Sequence, residues 1–449
     1  MSEDTITLIS RDAKNKVVCH KYMEEYFLKE GYVSSKKIHI NLLYKLFSLT
    51  ILRKIRTFFT LFLRCKFFFK DCKHSEFVIF DSEHTICLEE ILANKNYIIV
   101  STRIEQINEI YVSPKIVFYI IKNLFKRSLK QNYLTVLIKT IAPKIVITHI
   151  SNSEDFHIVS RILHNEIKFI AIQTYTPSAY EYMKGKKNFF IPKLFCFSKY
   201  DELFYKKKKV NIEAFEAIGS TQSSLCCEYV KSEKLKIDPN KYDICLIAEA
   251  VTSTDEYIVS HVKNLADSIG LVAKFTYKLC KKHNLNIVFA GRVAKNEGDH
   301  DIETYFYKHY LKNYDFKIFQ SPNKREKKYP TYVNIMQSKL TIALHSTILR
   351  EAICFGKKIL SFNPTGHPAI KFPGPDIKFP EESICTLNVP SYELFETRVL
   401  KLLSMTNEEY FNQLGKEKSF IMEPTTEAAN IVRKRLKEMV EQNIYNNVK

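Results

Sequence analysis

Several patterns are missing from this sequence, and each absence excludes a class of protein. The 11 cysteines form no Cys-x-x-Cys pair and lie scattered along 449 residues, so neither a zinc site nor a disulfide framework is indicated. A reducing compartment fits such cysteine usage best. The first residues, Met-Ser-Glu-Asp-Thr, lack the basic and apolar regions of a signal peptide. We therefore expect a cytoplasmic protein.

Long apolar runs are missing too. The most hydrophobic segment, residues 42–70, reads LLYKLFSLTILRKIRTFFTLFLRCKFFFK, and charges interrupt it long before the roughly 18 apolar residues of a membrane-spanning helix. At about 100° per residue, four basic side chains fall on one side of a helix: Lys45, Arg53, Arg56 and Arg64. Lys54 and Lys66 lie off that side. The pattern predicts a helix in a membrane interface, with a buried amphipathic helix as the alternative.

The charge balance narrows the choice of partners. The chain has 68 Lys and Arg against 49 Asp and Glu, a formal net charge of +19. Such a surplus favours anionic partners, namely nucleic acid, an acidic membrane surface or phosphorylated substrates, although a general Lys bias would give the same number. We find neither a helix-turn-helix signature nor a basic-aromatic RNA platform. A nucleic-acid-binding protein is therefore only a remote alternative.

Short apolar runs alternate with helix-like stretches in the first half of the chain. The runs are typical of buried strands: FVIF (77–80), YIIV (97–100), KIVITHI (144–150), KFIAIQ (168–173) and LFCFS (194–198). The stretches between them are long enough for crossover helices. This alternation predicts a parallel sheet covered by helices on both faces.

A second alternating unit follows a junction near residues 225–240. Its predicted strands are YDICLIAEA (242–250), NIVFAGR (286–292) and KLTIALHS (339–346), with helices over 268–284, 301–313 and 425–443. The predicted fold class is thus α/β with two Rossmann-like domains. We place an N-terminal segment at 1–75, the two domains at 76–230 and 231–424, and a C-terminal helix at 425–449. Ligands of such sheets bind beyond the carboxyl ends of the strands.

The stretch LHSTILREAICFGKKILSFNPTG, residues 344–366, carries the most specific pattern. Ser346 and Thr347 follow a predicted strand and are good helix caps, and a helix N-terminus with two hydroxyls is suited to phosphate. Glu351 lies one turn further, where a carboxylate would accept hydrogen bonds from ribose hydroxyls. The alternative is an ordinary packing unit with a capped helix.

This stretch resembles the nucleotide-binding half of GT-B glycosyltransferases. The resemblance assigns Ser346 and Thr347 to phosphate, Glu351 to ribose and residues 356–358 to the turn that follows. A wider similarity, over about residues 77–380, is to bacterial surface-carbohydrate-biosynthesis proteins of GT-B type. Six motifs carry it: FVIFDSEH (77–84), STRIEQIN (101–108), KFIAIQTY (168–175), AIGSTQ (217–222), VFAGRVAKN (288–296) and IETYFYKHYLKN (302–313).

The resemblance implies a fold and an activity. The fold is GT-B-like, with two Rossmann-like domains facing across a cleft and an N-terminal helical basic-apolar segment. The activity is transfer of a sugar from a nucleotide sugar to a growing bacterial glycan, lipopolysaccharide or capsule, without a cofactor or a metal. A glycan or lipid-linked glycan would be the acceptor, at the anionic inner-membrane surface. A nucleotide-sugar epimerase and a polyol-phosphotransferase of the same fold are the alternatives.

Two positions depart from that family. Relatives have Gly where this chain has Thr174 and Tyr175. Transferases of CMP-linked acidic sugars carry His-Pro after the second strand of the C-terminal domain, where Gly291 and Arg292 stand here. The sequence has His367-Pro368 further on instead, so it does not favour a CMP-linked donor.

Polar residues at predicted strand ends are the site candidates. In the first domain Asp81 and Glu83 are candidates for the general base that deprotonates an acceptor hydroxyl. Acceptor-binding candidates are Arg103, Glu105 and Asn152, although all these carboxylates would equally cap helices or pair with Arg103.

In the second domain, polar residues at the strand ends are candidates for binding the donor. Glu249, Arg292 and His345 end strands there, and a guanidinium is suited to a diphosphate leaving group. Asp299 and Asp301 resemble a metal-binding pair, but they precede a helix rather than follow a strand. We interpret them as a cap cluster and predict no metal site.

Overall fold

The computed structural model describes residues 59–82, 85–103, 106–176, 189–249, 256–291, 300–319, 329–366, 370–374, 377–380 and 383–447. These residues fall into two compact units. The N-terminal unit comprises the described residues up to Leu225 together with those from Glu427 onward, and the C-terminal unit comprises Cys226–Thr426. Both units are layered α/β structures, which confirms the predicted fold class.

The N-terminal unit is built on a six-stranded, fully parallel sheet. The strands of this unit are β1 (Lys66–Phe68), β2 (Phe77–Phe80), β3 (Tyr97–Val100), β4 (Glu109–Tyr111), β5 (Ile145–Thr148), β6 (Lys168–Ile172), β7 (Phe190–Cys196) and β8 (Asn211–Ala217). The sheet order is β3-β2-β5-β6-β7-β8, while β1 and β4 form a separate parallel pair. Every residue of β2 and β5 is buried, as expected for central strands covered on both faces.

Helices connect these strands and cover the sheet. They are α1 (Thr85–Ile91), α2 (Pro114–Lys122), α3 (Leu129–Ile141), α4 (Glu154–Leu163), α5 (Lys199–Lys207) and α6 (Thr221–Ser232). Local sequence explains their starts: Ser128 and Gln131 form a capping box on α3, and Ser153 accepts a hydrogen bond from the Phe156 N–H on α4. The stretch between β4 and β5, predicted to be long enough for crossover helices, contains two helices, α2 and α3.

The prediction of a helix over residues 42–70 is wrong at its C-terminal end. Residues 59–64 are helical, but Lys66–Phe68 form β1 and pair in register with Glu109–Tyr111. A run of aromatic side chains fits a pleated strand better than a helix, and Phe68 stacks on Tyr111 with ring centroids 5.1 Å apart. Residues 42–58 of the same prediction lie outside the described residues.

The C-terminal unit holds a second six-stranded parallel sheet. Its strands are β9 (Tyr242–Ile247), β10 (Ile287–Ala290), β11 (Ile318–Phe319), β12 (Ser338–Ala343), β13 (Lys358–Phe362) and β14 (Thr386–Leu387). The order β11-β10-β9-β12-β13-β14 is the Rossmann order, in which the first strand of the unit lies beside the fourth. The direction of winding reverses between β9 and β12, and ligands of such sheets bind at the carboxyl ends of those strands.

The helices of the second unit complete the layers. They are α7 (Glu256–His283), α8 (His300–Tyr310), α9 (Pro330–Met336), α10 (Thr347–Glu351), α11 (Tyr392–Ser404), α12 (Asn407–Leu414) and α13 (Glu417–Ile421). The chain then returns to the N-terminal unit as α14 (Ala428–Asn447). There the Ala429 N–H donates to Ser224 Oγ at 3.1 Å, and Arg435 Nε lies 2.8 Å from Glu216 Oε1.

Within the part of the chain that the structure describes, no helix combines the length and apolar character needed to cross a membrane.

Candidate functional site

Glu249 follows β9 and anchors the loop that follows β12. Its Oε1 accepts hydrogen bonds from the backbone N–H groups of Leu344 at 2.7 Å, His345 at 3.0 Å and Ser346 at 3.2 Å. Its Oε2 lies 2.8 Å from His345 Nδ1. The carboxylate thus joins the two strand ends at which the sheet reverses its winding. Glu249 was predicted to bind the donor, but in the structure its oxygens bind the loop that carries His345 and Ser346.

The environment of Glu249 keeps its carboxylate ionised although the residue is only 7% exposed. Burial alone would raise the pKa of this group, but His345 and the backbone N–H groups outweigh burial and lower it. The backbone of Glu249 is fixed as well, because its N–H donates to the Tyr307 hydroxyl at 2.8 Å. Tyr307 was not predicted as part of the site; it lies in the IETYFYKHYLKN motif on α8.

His345 is the accessible member of this pair. Its side chain is 41% exposed, against 9% for that of Glu249. The contact at Nδ1 orients the ring, and Nε2 is the nitrogen that Glu249 does not engage. An imidazole oriented by Glu249 is therefore held at the carboxyl edge of the sheet.

Ser346 occupies the N-cap position of α10 but makes no side-chain hydrogen bond to that helix. The predicted position of Ser346 at the start of the helix is thus confirmed, but its side chain does not cap the helix by a hydrogen bond. Helix α10 runs only from Thr347 to Glu351 and continues as a 3₁₀ turn, Ala352–Phe355. The half-buried Ser346 hydroxyl is therefore not engaged by the first turn of α10.

The Glu351 side chain is buried and does not face solvent. It is 3% exposed, and its Oε2 accepts a hydrogen bond from the Tyr332 hydroxyl at 2.9 Å. Its neighbour Arg350 is fully buried and donates from Nε and Nη2 to the Ile421 carbonyl. These contacts give both charged residues of α10 a structural role. Ribose binding by Glu351 stays a prediction that has to be reconciled with this burial.

The Gly-Lys-Lys turn after α10 folds for local reasons. Gly356 has φ +66°, a left-handed conformation that glycine adopts without strain. Lys358 Nζ donates to the Leu402 carbonyl at 2.6 Å and to the Met405 carbonyl, so it neutralises the C-terminus of α11. Burial, with a smaller contribution from Lys358, lowers the pKa of Lys357 to about 8. The turn therefore serves packing on the side of the sheet away from the candidate site.

A further polar group follows β13 and was not predicted. Thr365 Oγ1 lies 2.5 Å from Ser268 Oγ on α7 and donates to Asn363 Oδ1 at 3.1 Å. Asn363 and Ser268 are buried. The Asn-Pro-Thr-Gly turn after a buried strand was the available signal, since polar residues at a carboxyl strand end are where Rossmann sheets bind ligands.

Asp81 follows β2 in the N-terminal unit and has φ +77°, an uncommon conformation for a non-glycine residue. It is buried; its Oδ2 accepts a hydrogen bond from the Thr102 hydroxyl at 2.6 Å, and its Oδ1 lies 3.7 Å from Arg103 Nε. The structure thus brings two sequence candidates, Asp81 and Arg103, together at neighbouring strand ends. Pairing with Arg103 was the predicted alternative to a role of Asp81 as general base. Thr102 was not predicted as part of the site.

Asn152 lies in the turn after β5, the strand beside β2. The winding of this sheet also reverses between β2 and β5, so Asp81 and Asn152 flank its switch point. Thr148 Oγ1 donates to the Phe80 carbonyl at 2.8 Å and accepts from the Ile150 N–H at 3.0 Å, which fixes the two strand ends relative to each other. The N-terminal unit therefore presents its own polar strand edge.

Three residues predicted to belong to the site lie outside the described residues: Glu83, Glu105 and Arg292. Asp299 lies outside them as well, as does His367-Pro368. Their proposed roles stay predictions from the sequence.

One family of known proteins matches part of the chain. Residues 252–426 match a family described as "putative O-antigen biosynthesis protein". The match covers most of the C-terminal unit but less than half of the chain. Over that part it bears out the resemblance to surface-carbohydrate-biosynthesis proteins. No curated protein sequence matches the chain.

Solved structures show a distant similarity. A UDP-GlcNAc 2-epimerase from Neisseria meningitidis bound to UDP-GlcNAc has 14% identity and a TM-score of 0.49, with 81% of this chain and 99% of that chain covered. The wall teichoic acid polymerase TagF has 10% identity and a TM-score of 0.46, with 89% and 100% covered. An α,α-trehalose 6-phosphate synthase from Burkholderia multivorans has 10% identity and a TM-score of 0.43, with 84% and 99% covered. These values are too low to assign a chemistry by similarity, and the fold given above rests on the sheet topology.

Proposed function

We propose that this protein is a glycosyltransferase that moves a sugar from a nucleotide-sugar donor to a growing bacterial surface glycan, lipopolysaccharide or capsule. The observation that carries the proposal is the Glu249–His345 pair at the switch point of the second Rossmann sheet. The family match over residues 252–426 supports surface-glycan synthesis as the context.

The donor is proposed to bind at the carboxyl edge of the second sheet. A protonated His345, oriented by Glu249, would neutralise the donor phosphate through a charge-assisted hydrogen bond. Ser346 and Thr347 follow it directly and supply hydroxyls for further phosphate contacts. Arg292 is the proposed second cation and Glu351 the proposed partner of the ribose. With the leaving charge met by His345 and Arg292, we propose that transfer needs no metal.

The acceptor is proposed to bind at the carboxyl edge of the first sheet. Asp81 would accept the proton of the acceptor hydroxyl as the bond from that oxygen to the sugar carbon forms. The bond from the sugar carbon to the phosphate oxygen breaks in the same reaction, and the nucleotide leaves with the electron pair. Thr102 and Arg103 position Asp81, while Asn152 contacts the acceptor. Glu83 and Glu105 stay candidates for the same surface.

A lipid-linked glycan acceptor would be held in the inner membrane, so the reaction would take place at the cytoplasmic face of that membrane. We propose that the protein is peripheral to that membrane and meets a glycan or lipid-linked glycan acceptor there. The net charge of +19 and the basic-apolar segment 42–70 support an anionic lipid partner.

Product analysis tests the proposal against its rivals of the same fold. The purified chain is incubated with nucleotide sugars, with and without lipid-linked glycan acceptors from bacterial membranes. A transferase releases free nucleotide only when acceptor is present, and the glycan gains one sugar. Conversion of the sugar without acceptor would instead indicate an epimerase. Release of CMP from a CDP-polyol would indicate a phosphotransferase, and no turnover with any donor would contradict all three.

A further inference from the structure

The N-terminal unit exposes an unusual set of apolar side chains on α2 and the turn after it. We call residues 114–130 the 114–130 surface. Phe118 is 69% exposed, Ile121 66%, Phe125 99% and Leu129 62%. Soluble monomeric proteins rarely expose apolar side chains as a contiguous patch unless the patch binds something. We therefore expect this surface to bind a partner.

This exposure is imposed by buried contacts beneath the turn. Asn132 is fully buried, and its Nδ2 donates to the Asn123 carbonyl at 2.8 Å and to the Arg127 carbonyl at 3.4 Å. Asn123 in turn donates from Nδ2 to the Tyr119 carbonyl at 2.9 Å. The buried side-chain amides of Asn123 and Asn132 thus fix the backbone before and within the turn. Phe125 is consequently presented outward by an ordered turn.

A second exposed apolar segment adjoins the first. Leu63 is 83% exposed and Phe69 81%. Strand β1 pairs with β4, which ends just before α2, and Lys115 at the start of α2 forms an ion pair with Asp71 at 3.1 Å. These contacts place the end of the 42–70 segment beside the 114–130 surface. The apolar area is therefore larger than one helix face.

The charges around this area select the partner. Residues 114–130 contain five basic residues, Lys115, Lys122, Lys126, Arg127 and Lys130, and no acidic residue. Lys115 and Lys130 form ion pairs with Asp71 and Asp155, so the charge available to a partner comes mainly from the other three. Apolar side chains among basic ones match a bilayer with anionic headgroups. A second copy of the same surface would oppose like charges, which disfavours a homodimer.

We infer that the 114–130 surface docks on an anionic lipid bilayer, with Phe118 and Phe125 inserted among the acyl chains and Lys122 and Lys126 at the phosphates. This inference rests on the proposed membrane partner but assigns the contact to residues outside the 42–70 segment. Membrane docking does not depend on how the donor binds. Nucleotide binding is therefore measured on the same variants, so that failure of the membrane inference can be told apart from failure of the transferase proposal.

Vesicle co-sedimentation of the full chain tests the inference. Wild-type protein is expected to bind vesicles containing about one third phosphatidylglycerol, to bind pure phosphatidylcholine vesicles weakly, and to lose binding as salt rises. A Phe118→Ser/Phe125→Ser variant is expected to bind at least about tenfold more weakly, with its melting temperature and nucleotide binding unchanged. Lys122→Gln/Lys126→Gln should weaken binding to the anionic vesicles alone. Leu394→Ser is the matched control, because Leu394 is an exposed leucine of α11 in the other unit.

Three results would overturn the inference. Unchanged vesicle binding by Phe118→Ser/Phe125→Ser would mean that other residues make the membrane contact. A lowered melting temperature with unchanged vesicle binding would mean that the chain itself covers the surface. A change from dimer to monomer in light scattering would make the surface an interface between copies.

Discussion

Glu249 Oε2 and His345 Nδ1 lie 2.8 Å apart, and the two residues end neighbouring strands of the second sheet. The same carboxylate accepts hydrogen bonds from three backbone N–H groups of the loop that begins at Leu344. One side chain therefore fixes both the path of the loop and the orientation of the imidazole. The proposed donor site depends on this contact more than on the helix that follows it.

Glu249→Gln is expected to lower the free energy of unfolding by about 1.5–3 kcal/mol at pH 7, the usual contribution of hydrogen bonds to a charged group. The pKa of Glu249 is lowered in the folded protein, so its contribution is present above the unfolded value of about 4.3 and is lost as the pH falls through the folded value. Urea unfolding of both proteins should show a gap that is constant from pH 7 to about 5 and shrinks below about pH 4. The exposed Glu233→Gln is the control, and a gap that persists unchanged to pH 3 would refute the electrostatic origin.

Asp81→Asn tests the proposed general base. Asparagine tolerates the positive φ of this position as well as aspartate does and still accepts the Thr102 hydrogen bond. We expect kcat to fall by about 10²–10⁴, the usual contribution of general base catalysis, while the nucleotide Kd stays unchanged. Full activity of the variant would leave Asp81 as only a structural partner of Thr102 and Arg103.

Gly270→Ala tests the packing of α7 against α8. An added Cβ would lie 2.3 Å from three ring atoms of Tyr310, whose hydroxyl bonds to Asp267 Oδ1 at 3.0 Å. Overpacking costs about 1–3 kcal/mol, which exceeds the gain of about 1 kcal/mol in helix propensity. We expect thermal unfolding to show net destabilisation. In a Tyr310→Ala background the clash is gone, so the same change should stabilise; destabilisation there too would disprove the steric explanation.

Lys357→Met tests the effect of burying a cation. Burial lowers the pKa of Lys357 to about 8, below the unfolded value of about 10.4. The unfolded chain therefore binds more protons between these values, and stability rises with pH in that window. The variant should be more stable than wild type at pH 7 by about 1–3 kcal/mol, because about 1.4 kcal/mol accompanies each tenfold change in proton affinity. Its advantage should shrink by pH 9.5; the exposed Lys378→Met should show no such trend.

The central strands were predictable because they are buried on both faces. FVIF was predicted over 77–80, the bounds that the fully buried β2 has in the structure. Such strands appear as continuous apolar runs. Edge strand β8 was missed because Asn211–Ala217 is partly exposed along its whole length and alternates polar with apolar residues. Edge strand β3 was nevertheless predicted at its bounds, 97–100, because YIIV is a continuous apolar run, although only Val100 is buried. A continuous apolar run therefore determined which strands could be recognised in the sequence.

The candidate site was predictable in place but not in the role of each residue. Glu249 and His345 were selected because they end strands, and the structure brings them together. Their contact spans 96 positions of the chain, so no local pattern could show that the Glu249 carboxylate is satisfied by the loop. The same limit applies to Glu351, whose partner Tyr332 lies on α9. Glu351→Ala is consequently a poor test of ribose binding, because it would also remove the buried hydrogen bond with the Tyr332 hydroxyl.

Ser346 offers a sharper test, because its side chain makes no capping hydrogen bond. Ser346→Ala should therefore cost only a few tenths of a kcal/mol in the absence of ligand. Ser391 is the matched control: its Oγ accepts from the Leu394 N–H at 3.2 Å, so Ser391→Ala should cost about 0.5–2 kcal/mol. The pair separates loss of a ligand contact from loss of stability.

The most direct measurement is the melting temperature of wild type, Ser346→Ala and Ser391→Ala with CMP, UDP, GDP and their sugars. Ligand binding to the folded state raises the melting temperature, and the increase grows with the logarithm of the ligand concentration once that concentration exceeds Kd. We predict that nucleotides of one base stabilise the wild type, that Ser346→Ala loses most of this shift, and that Ser391→Ala melts earlier but keeps it. No shift with any nucleotide, or an equal shift in Ser346→Ala, would contradict a nucleotide-sugar site at the Glu249–His345 strand edge.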